Sequence, residues 1–209
     1  VAFLGMLLAT VMGLPLGVLS AVKQYSPADS FLRVASTVLV AMPTFWLAML
    51  LILVFALYLG WLPAGGVLTW QSYILPTITV GVPYGSKVLR MTRSTMLEEI
   101  RQDYVRTARS KGVPEKKVIY GHALKNALLP VITTIGSAFG AILGGSVIAE
   151  SVFNLPGLGS LIVLSIKAKD TPSVLASVLL LAVFFALIML IVDLVYAFVD
   201  PRIKAKYAK

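Results

Sequence analysis

Cysteine is absent from this 209-residue chain, and acids are scarce: 9 Asp and Glu stand against 18 Lys and Arg. Without Cys there is no disulfide framework, no thiolate metal site and no cysteine nucleophile, so stability must come from helix packing. Charged residues make up only 13% of the chain, hydrophobic residues 58%, and mean hydropathy is +0.91. Soluble and secreted globular domains do not have that balance. The chain reads as all-α, a polytopic transmembrane helical bundle forming one domain over residues 1–209.

A net charge of +9 suits either a nucleic acid or an anionic membrane surface. Position decides between them. The basic residues fall in short blocks between long apolar runs, as positive charge is placed on the cytoplasmic side of a membrane protein. Membrane lipid is therefore the expected surroundings, and no nucleic acid is expected as partner.

A helix rising about 1.5 Å per residue needs about 20 apolar residues to cross a hydrocarbon core of about 30 Å. Five stretches are assigned as spans: 1–22, 34–61, 72–91, 127–149 and 173–199. The third is the weakest. Its uncharged window holds Pro63, Pro76, Pro83, Gly65, Gly66, Gly81 and Gly85, and Lys87 and Arg90 must snorkel toward the cytosol. Sixteen of the 18 basic residues lie in the 23–33 loop, the 87–125 segment and the tail from Arg202 to Lys209. That asymmetry predicts a multi-pass protein of the cytoplasmic membrane with its C-terminus inside and Val1 outside. Tyr58, Trp61, Trp70 and Tyr73 fit an outer loop at the headgroup level. The first span opens with neither Met nor a basic n-region, so an earlier crossing is expected to be missing.

The segment 95–126 is too polar to cross yet patterned as helix, turn, helix. Thr95 and Glu98 have the spacing of a capping box. Met96, Leu97, Ile100, Tyr104, Val105 and Ala108 follow at helical spacing, opposite Glu98, Arg101, Gln102, Arg106 and Arg109. Gly112 predicts the stop, Pro114 the start of a second helix, and Pro130 the entry into the next span. Composition alone allows a solvated basic connector. A cap, an apolar face and a Gly-x-Pro corner together favour a docking element for a soluble partner.

Three further features carry alternatives. Gly136, Gly140 and Gly144 form a small-residue ridge in the fourth span, suited to helix packing or to the border of a pathway. Asn154 to Gly159 reads as a turn centred on Pro156 and Gly157, with Ser160 capping a short helix through Ile166, either a gate at the outer mouth or a plain lid. Asp193 is the one acid well inside a span, read as snorkelling or paired with a basic residue. His122, the only histidine, makes no metal site by itself and reads as structural. No P-loop spacing occurs: Gly81-Val-Pro-Tyr-Gly85-Ser-Lys87-Val88 is the wrong length and sits at a span end. An intramembrane hydrolase lacks its nucleophile and base. An ion-coupled secondary transporter, the runner-up, would carry midplane charges and an inverted repeat, and neither is visible.

Arg106-Thr-Ala-Arg-Ser-Lys-Gly112, followed by His122-Ala-Leu-Lys125 and Asn126-Ala-Leu-Leu-Pro130, resembles the cytoplasmic signature loop of ATP-binding-cassette importer permeases. More narrowly it is similar to the B-type permease subunits of dipeptide, oligopeptide and nickel importers. Ala108, Gly112 and Leu124 keep the general signature, while Arg106, Thr107, His122 and Lys125 depart from it in the manner of that branch. "GLPLGVLSAV" at Gly13 to Val22, "MPTFWLAMLL" at Met42 to Leu51, "GWLPAGG" at Gly60 to Gly66, "ESVFNLPGLGSLI" at Glu150 to Ile162 and Asp200-Pro-Arg202 extend the resemblance over nearly the whole chain.

The resemblance implies six spans in a complete subunit and import by alternating access, with no enzymatic step on this chain. ATP and Mg would sit on two partner ATPase subunits; this chain would bind no cofactor. A second permease subunit, usually a sister forming a heterodimer, and an extracytoplasmic substrate-binding protein complete the implied assembly. The coupling element would run from Tyr104 to Leu124, with Ala108 allowing close approach, Gly112 setting the corner, and Arg106 and Arg109 either pairing with acids at the rim of the ATPase groove or simply solvated. The implied substrates are peptides or a related small solute, nickel complexes included.

Overall fold

The computed structural model describes the backbone of residues 1–199 and side chains through residue 194. The Asp200-Pro-Arg202 motif and the basic tail lie outside the described residues. Among those described, every regular element is helical: α1 (Ala2–Val22), α2 (Pro27–Ala41), α3 (Thr44–Leu51) continuing as a π-helical stretch (Ile52–Tyr58), α4 (Ile74–Ile100), α5 (Asp103–Ser110), α6 (Glu115–Lys117), a second π-helical stretch (Val118–Ala123), α7 (Leu124–Val152), α8 (Leu158–Lys167) and α9 (Thr171–Val199).

The tightest seam joins α1 to α4. Gly5, Ala9, Gly13, Gly17 and Ala21 recur every four residues on α1, and all are buried. A Cβ at Gly13 would lie 2.5 Å from the Gly85 carbonyl oxygen, one at Gly17 2.7 Å from that of Leu89, and one at Gly81 of α4 2.8 Å from that of Gly5. No side chain fits at these crossings, so the backbones themselves meet. Residue numbers rise together on both helices, hence α1 and α4 run parallel. The third helix of the core, α7, runs antiparallel to them. Its Ile142 and Ala149 pack with Met6, Leu75 and Val80 at one end of the bundle, and its Ala127 packs with Val18, Ala21 and Met96 at the other.

Ala2–Val22, the continuous run Glu115–Val152 and Thr171–Leu194 are long and apolar enough to cross a membrane, and Pro27–Ala41 with Thr44–Tyr58 form a bent pair that counts as a fourth. The third expected span, 72–91, lies almost wholly in α4, which is less apolar and extends nine residues further. Burial against α1 and α7 replaces hydropathy in holding it.

Three boundaries expected from the sequence are corrected. The stretch 34–61 is not one straight span: it bends by 106° between α2 and α3. Pro43 holds Met42 extended, with φ −72° and ψ 129°, because its ring clashes with a helical predecessor. Thr95 does not cap a new helix. It is buried inside α4 and its Oγ1 donates to the Met91 and Thr92 carbonyl oxygens at 3.1 and 3.2 Å. Nothing between Ser86 and Ile100 breaks a helix, so α4 continues until Arg101. Pro130 marks no entry point either, since the helix from Glu115 to Val152 passes through it.

Candidate functional site

The two-turn helix α5 begins at Gln102, whose extended backbone (φ −69°, ψ 150°) ends the turn after α4, and Asp103 places an acid in its first turn. Only Val105 and Ala108 are buried. They enter a cluster with Met96 of α4, Val18 and Ala21 of α1, and Val118, Ile119 and Ala123 of the π-helical stretch. The remaining face, Asp103, Tyr104, Arg106, Thr107, Arg109 and Ser110, points outward. One helix thus joins the convergence of three membrane helices to open surface.

The exit from α5 is a complete left-handed cap. Gly112 has φ +75°. Its N–H donates to the Arg109 carbonyl at 2.9 Å, and the Val113 N–H donates to that of Ala108 at 3.2 Å, the paired bonds of a Schellman motif. Val113 packs against the same cluster as Ala108. A Cβ at Gly112 would meet nothing within 4 Å, so the requirement for glycine is conformational and not a matter of space. Pro114 then precedes the first turn of α6 as its N-cap.

Arg109 and Glu115 bridge the corner, with Nη2 2.7 Å from Oε1 and Nε 3.1 Å from Oε2. The arginine's hydrogen bonds hold the Glu115 carboxyl below the usual carboxylate range, and the same bonds raise the guanidinium. Arg109 is therefore committed within the loop. Arg106 forms no ion pair among the described residues and is exposed. The Tyr104 hydroxyl donates to Glu99. Partial burial, then that carboxylate, raises the phenol above its ordinary value.

The predicted site residues therefore separate. Tyr104, Arg106, Thr107, Arg109 and Gly112 share the outer surface, whereas Ala108 faces the bundle. Ala108 allows close approach, but to α5's own bundle. Leu124 packs beside that cluster, and His122 is half-buried in the π-helical stretch. No group of three or more metal-ligating side chains occurs among the described residues.

One constellation escaped the sequence reading. Asp29, in the first turn of α2, is 1% exposed. Its carboxylate accepts from Arg93 Nε and Nη2 at 2.7 and 2.9 Å, from Ser20 Oγ at 2.5 Å and from the Tyr25 N–H at 3.0 Å. The Arg93 hydrogen bonds, opposed by burial and helped by Ser20 and Tyr25, hold the Asp29 carboxyl far below its usual range. Four donors on one acid tie the end of α1, the start of α2 and α4 together behind α5. The available signal was the spacing Ser26-Pro-Ala-Asp29, an N-cap followed by an acid; Ser26 Oγ indeed accepts from the Asp29 N–H at 3.2 Å.

At the opposite end, α8 folds back onto α7 and α9. Glu150 Oε2 accepts from the N–H groups of Gly159 at 2.8 Å and Ser160 at 3.3 Å, so an anion caps the α8 N-terminus. Helix α8 starts at Leu158 with Gly157 as its N-cap, and Ser160 Oγ bonds back to the Gly157 N–H and carbonyl, each at 2.9 Å. A Cβ at Gly159 would lie 2.5 Å from Val147 Cα. Pro156 is exposed. Along the α7 ridge, Gly136 and Gly140 receive Val192 and Phe185 of α9, whereas Gly144 faces open space. Asp193 is exposed on α9.

A sequence profile of the family described as binding-protein-dependent transport system inner membrane component matches residues 13–205. The glutathione transport system permease protein GsiC of Escherichia coli (strain K12) is 42% identical over 201 residues, covering 96% of this chain and 66% of that protein. GsiC of Pectobacterium atrosepticum is 44% identical over 201 residues, covering 95% and 65%. The chain thus spans 66% of the length of the relatives it first matches. Among solved structures, a chain of the methionine ABC transporter MetNI in inward-facing conformations superposes with a TM-score of 0.76 at 18% identity, covering 95% of this chain and 91% of that one. That likeness shows a shared fold.

Proposed function

Because this chain belongs to the family of binding-protein-dependent transport system inner membrane components, we propose that it serves as a permease subunit of an ATP-driven importer, working by alternating access. The observation that carries the reading is the two-faced helix α5. Its inner residues Val105 and Ala108 are wedged where α1, α4 and α7 converge, and its outer residues form a basic, tyrosine-bearing surface. A rigid corner at Gly112 and the Arg109–Glu115 bridge make the hairpin act as one body, so force on the outer face passes to three membrane helices at once.

The chain itself makes and breaks no covalent bond in this scheme. Two separate ATPase subunits bind ATP and Mg and grip the outer face of α5. A second permease subunit packs on the exposed side of α9, whose apolar window is only 6% buried within this chain. An extracytoplasmic binding protein delivers substrate at the α8 end, placing the α5 end and the C-terminus in the cytoplasm. The substrate is a peptide or a related small solute; the relatives named for glutathione transport favour a short peptide, and nickel complexes have no such support.

These 209 residues contain no cysteine, so one introduced thiol is unique among them. Thiol crosslinking from Arg106→Cys in native membranes should capture an ATPase subunit, while Ala108→Cys should not. Crosslinks from position 106 to lipid or to its own bundle alone, with transport intact, would overturn the proposal.

A further inference from the structure

Arg93 sits at the level where α1 ends, because Asp29 pins it beside Ser20 in the last turns of that helix. Arg90 lies one turn deeper on α4, about 4.5 Å along the axis. Facing both across a cleft of about 500 Å³ are Arg33, Thr37 and Val38 of α2. Among the described residues, no acid lines this cleft. Asp29 offsets only Arg93, using its Nε and Nη2, and Arg33 and Arg90 form no ion pair among the described residues. The Ser36 and Thr37 hydroxyls donate to the Arg33 carbonyl at 3.0 and 2.8 Å, so their protons are committed. The available donors are guanidinium groups.

Planar guanidinium forks match phosphate oxygens with two parallel bonds each, and a cluster of them without acids is stabilised by an anion. The rim of the cleft is apolar. Val34 and Val38 of α2, which line it, are 64% and 47% exposed. A free phosphate would leave those side chains in contact with nothing complementary, whereas a phospholipid places acyl chains there and its phosphate among the arginines. We propose that the Arg33–Arg90–Arg93 cleft is a binding site for the phosphate of an anionic phospholipid headgroup. Its occupant bridges α2 to α4 beside the Asp29 contact, and the site does not depend on the transport reading.

The test uses full-length protein purified in detergent and titrated with phosphatidylglycerol, phosphatidylcholine or inorganic phosphate. Native mass spectrometry reads lipid retention, and thermal melting reads stabilisation. Phosphatidylglycerol should be retained and raise Tm; phosphatidylcholine and inorganic phosphate should do neither. The double variant R33Q/R90Q should lose retention about thirtyfold, as expected for two arginines near a headgroup, while K116Q/K117Q, with equal charge loss on the loop, should keep it. The single variants R33Q and R90Q, each at an exposed position, should each lose about fivefold and report even where the double variant does not fold. Equal retention by wild type and the arginine variants would overturn the site. An equal melting shift from inorganic phosphate or phosphatidylcholine would overturn the anionic-lipid assignment.

Discussion

Arg93 and Asp29, 64 residues apart, form a two-point ion pair with Nε 2.7 Å from Oδ1 and Nη2 2.9 Å from Oδ2. With Ser20 and Tyr25 completing the acid's hydrogen bonds, almost all of the carboxylate's acceptor capacity is satisfied out of water. Removing one partner of such a buried pair leaves the other uncompensated, so Asp29→Asn should cost about 3 kcal/mol. Urea or thermal unfolding in detergent checks it. The pH dependence has a definite sign. A carboxyl lowered on folding contributes stability that is fully present above its unfolded value of about 3.9, and loses it as pH falls toward the depressed folded value. Stability should therefore hold from neutral pH to about pH 4 and decline below, and the component due to Asp29 should vanish in Asp29→Asn.

Gly112 at φ +75° separates conformation from space, because nothing lies within 4 Å of the missing Cβ. Gly112→Asn should be tolerated, since Asn accepts the left-handed region, whereas Gly112→Val should strain the corner by about 2 kcal/mol. The expected readout is loss of binding-protein-stimulated ATPase in Gly112→Val with the basal rate kept. Equal coupling in the two variants would count against the rigid-corner account.

The two glycine rows should behave differently. Gly17→Val drives a branched side chain into the Leu89 carbonyl and Thr92, and overpacking of this kind costs about 1–3 kcal/mol. Gly144→Ala meets nothing within 4 Å and gains helix propensity, so its Tm should stay near wild type. If Gly144 borders the pathway, Gly144→Ala changes transport without changing melting; unaltered transport would assign that part of the ridge to packing.

The physical reasons for what was legible lie in the same residues. Apolar length located α1, α7 and α9, and Gly112 with Pro114 located the corner, because each signal is local. The α1 row Gly5, Ala9, Gly13, Gly17, Ala21 was as regular as the α7 row and went unread. Which of two small-residue stripes meets a backbone depends on the partner helix, which one span's pattern does not contain. Thr95 misled for a related reason: a capping residue works only where the helix starts, and α4 had already begun at Ile74. The role of Asp29 is not local either, because its partner Arg93 lies 64 positions away.

Charge on the outer face of α5 has two grades. Arg109 spends its fork on Glu115 at exposed positions, so Arg109→Ala should lower stability by less than about 1 kcal/mol, and the exchange Arg109→Glu with Glu115→Arg should restore it. Arg106 has no ion pair among the described residues. Arg106→Glu should leave Tm unchanged and weaken copurification with the ATPase about tenfold, a loss a reversed charge at a contact readily produces. A larger effect from Arg109→Ala than from Arg106→Glu would reverse the assignment of which arginine faces the partner.

Glu150 reaches from α7 to the first amides of α8, accepting from Gly159 at 2.8 Å and Ser160 at 3.3 Å. A carboxylate at a helix N-terminus gains from both the free N–H groups and the helix dipole, whereas the amide of Glu150→Gln keeps one acceptor oxygen and loses the charge. The variant should weaken the α8 anchor by about 1 kcal/mol, or about fivefold in local opening. Hydrogen exchange at Gly159 and Ser160 should quicken by that factor while exchange at the buried Val88 amide in the α1/α4 seam stays unchanged. If α8 gates the outer mouth, the same substitution raises substrate leak in proteoliposomes without ATP. Faster exchange with no leak would make the segment a lid over helix ends.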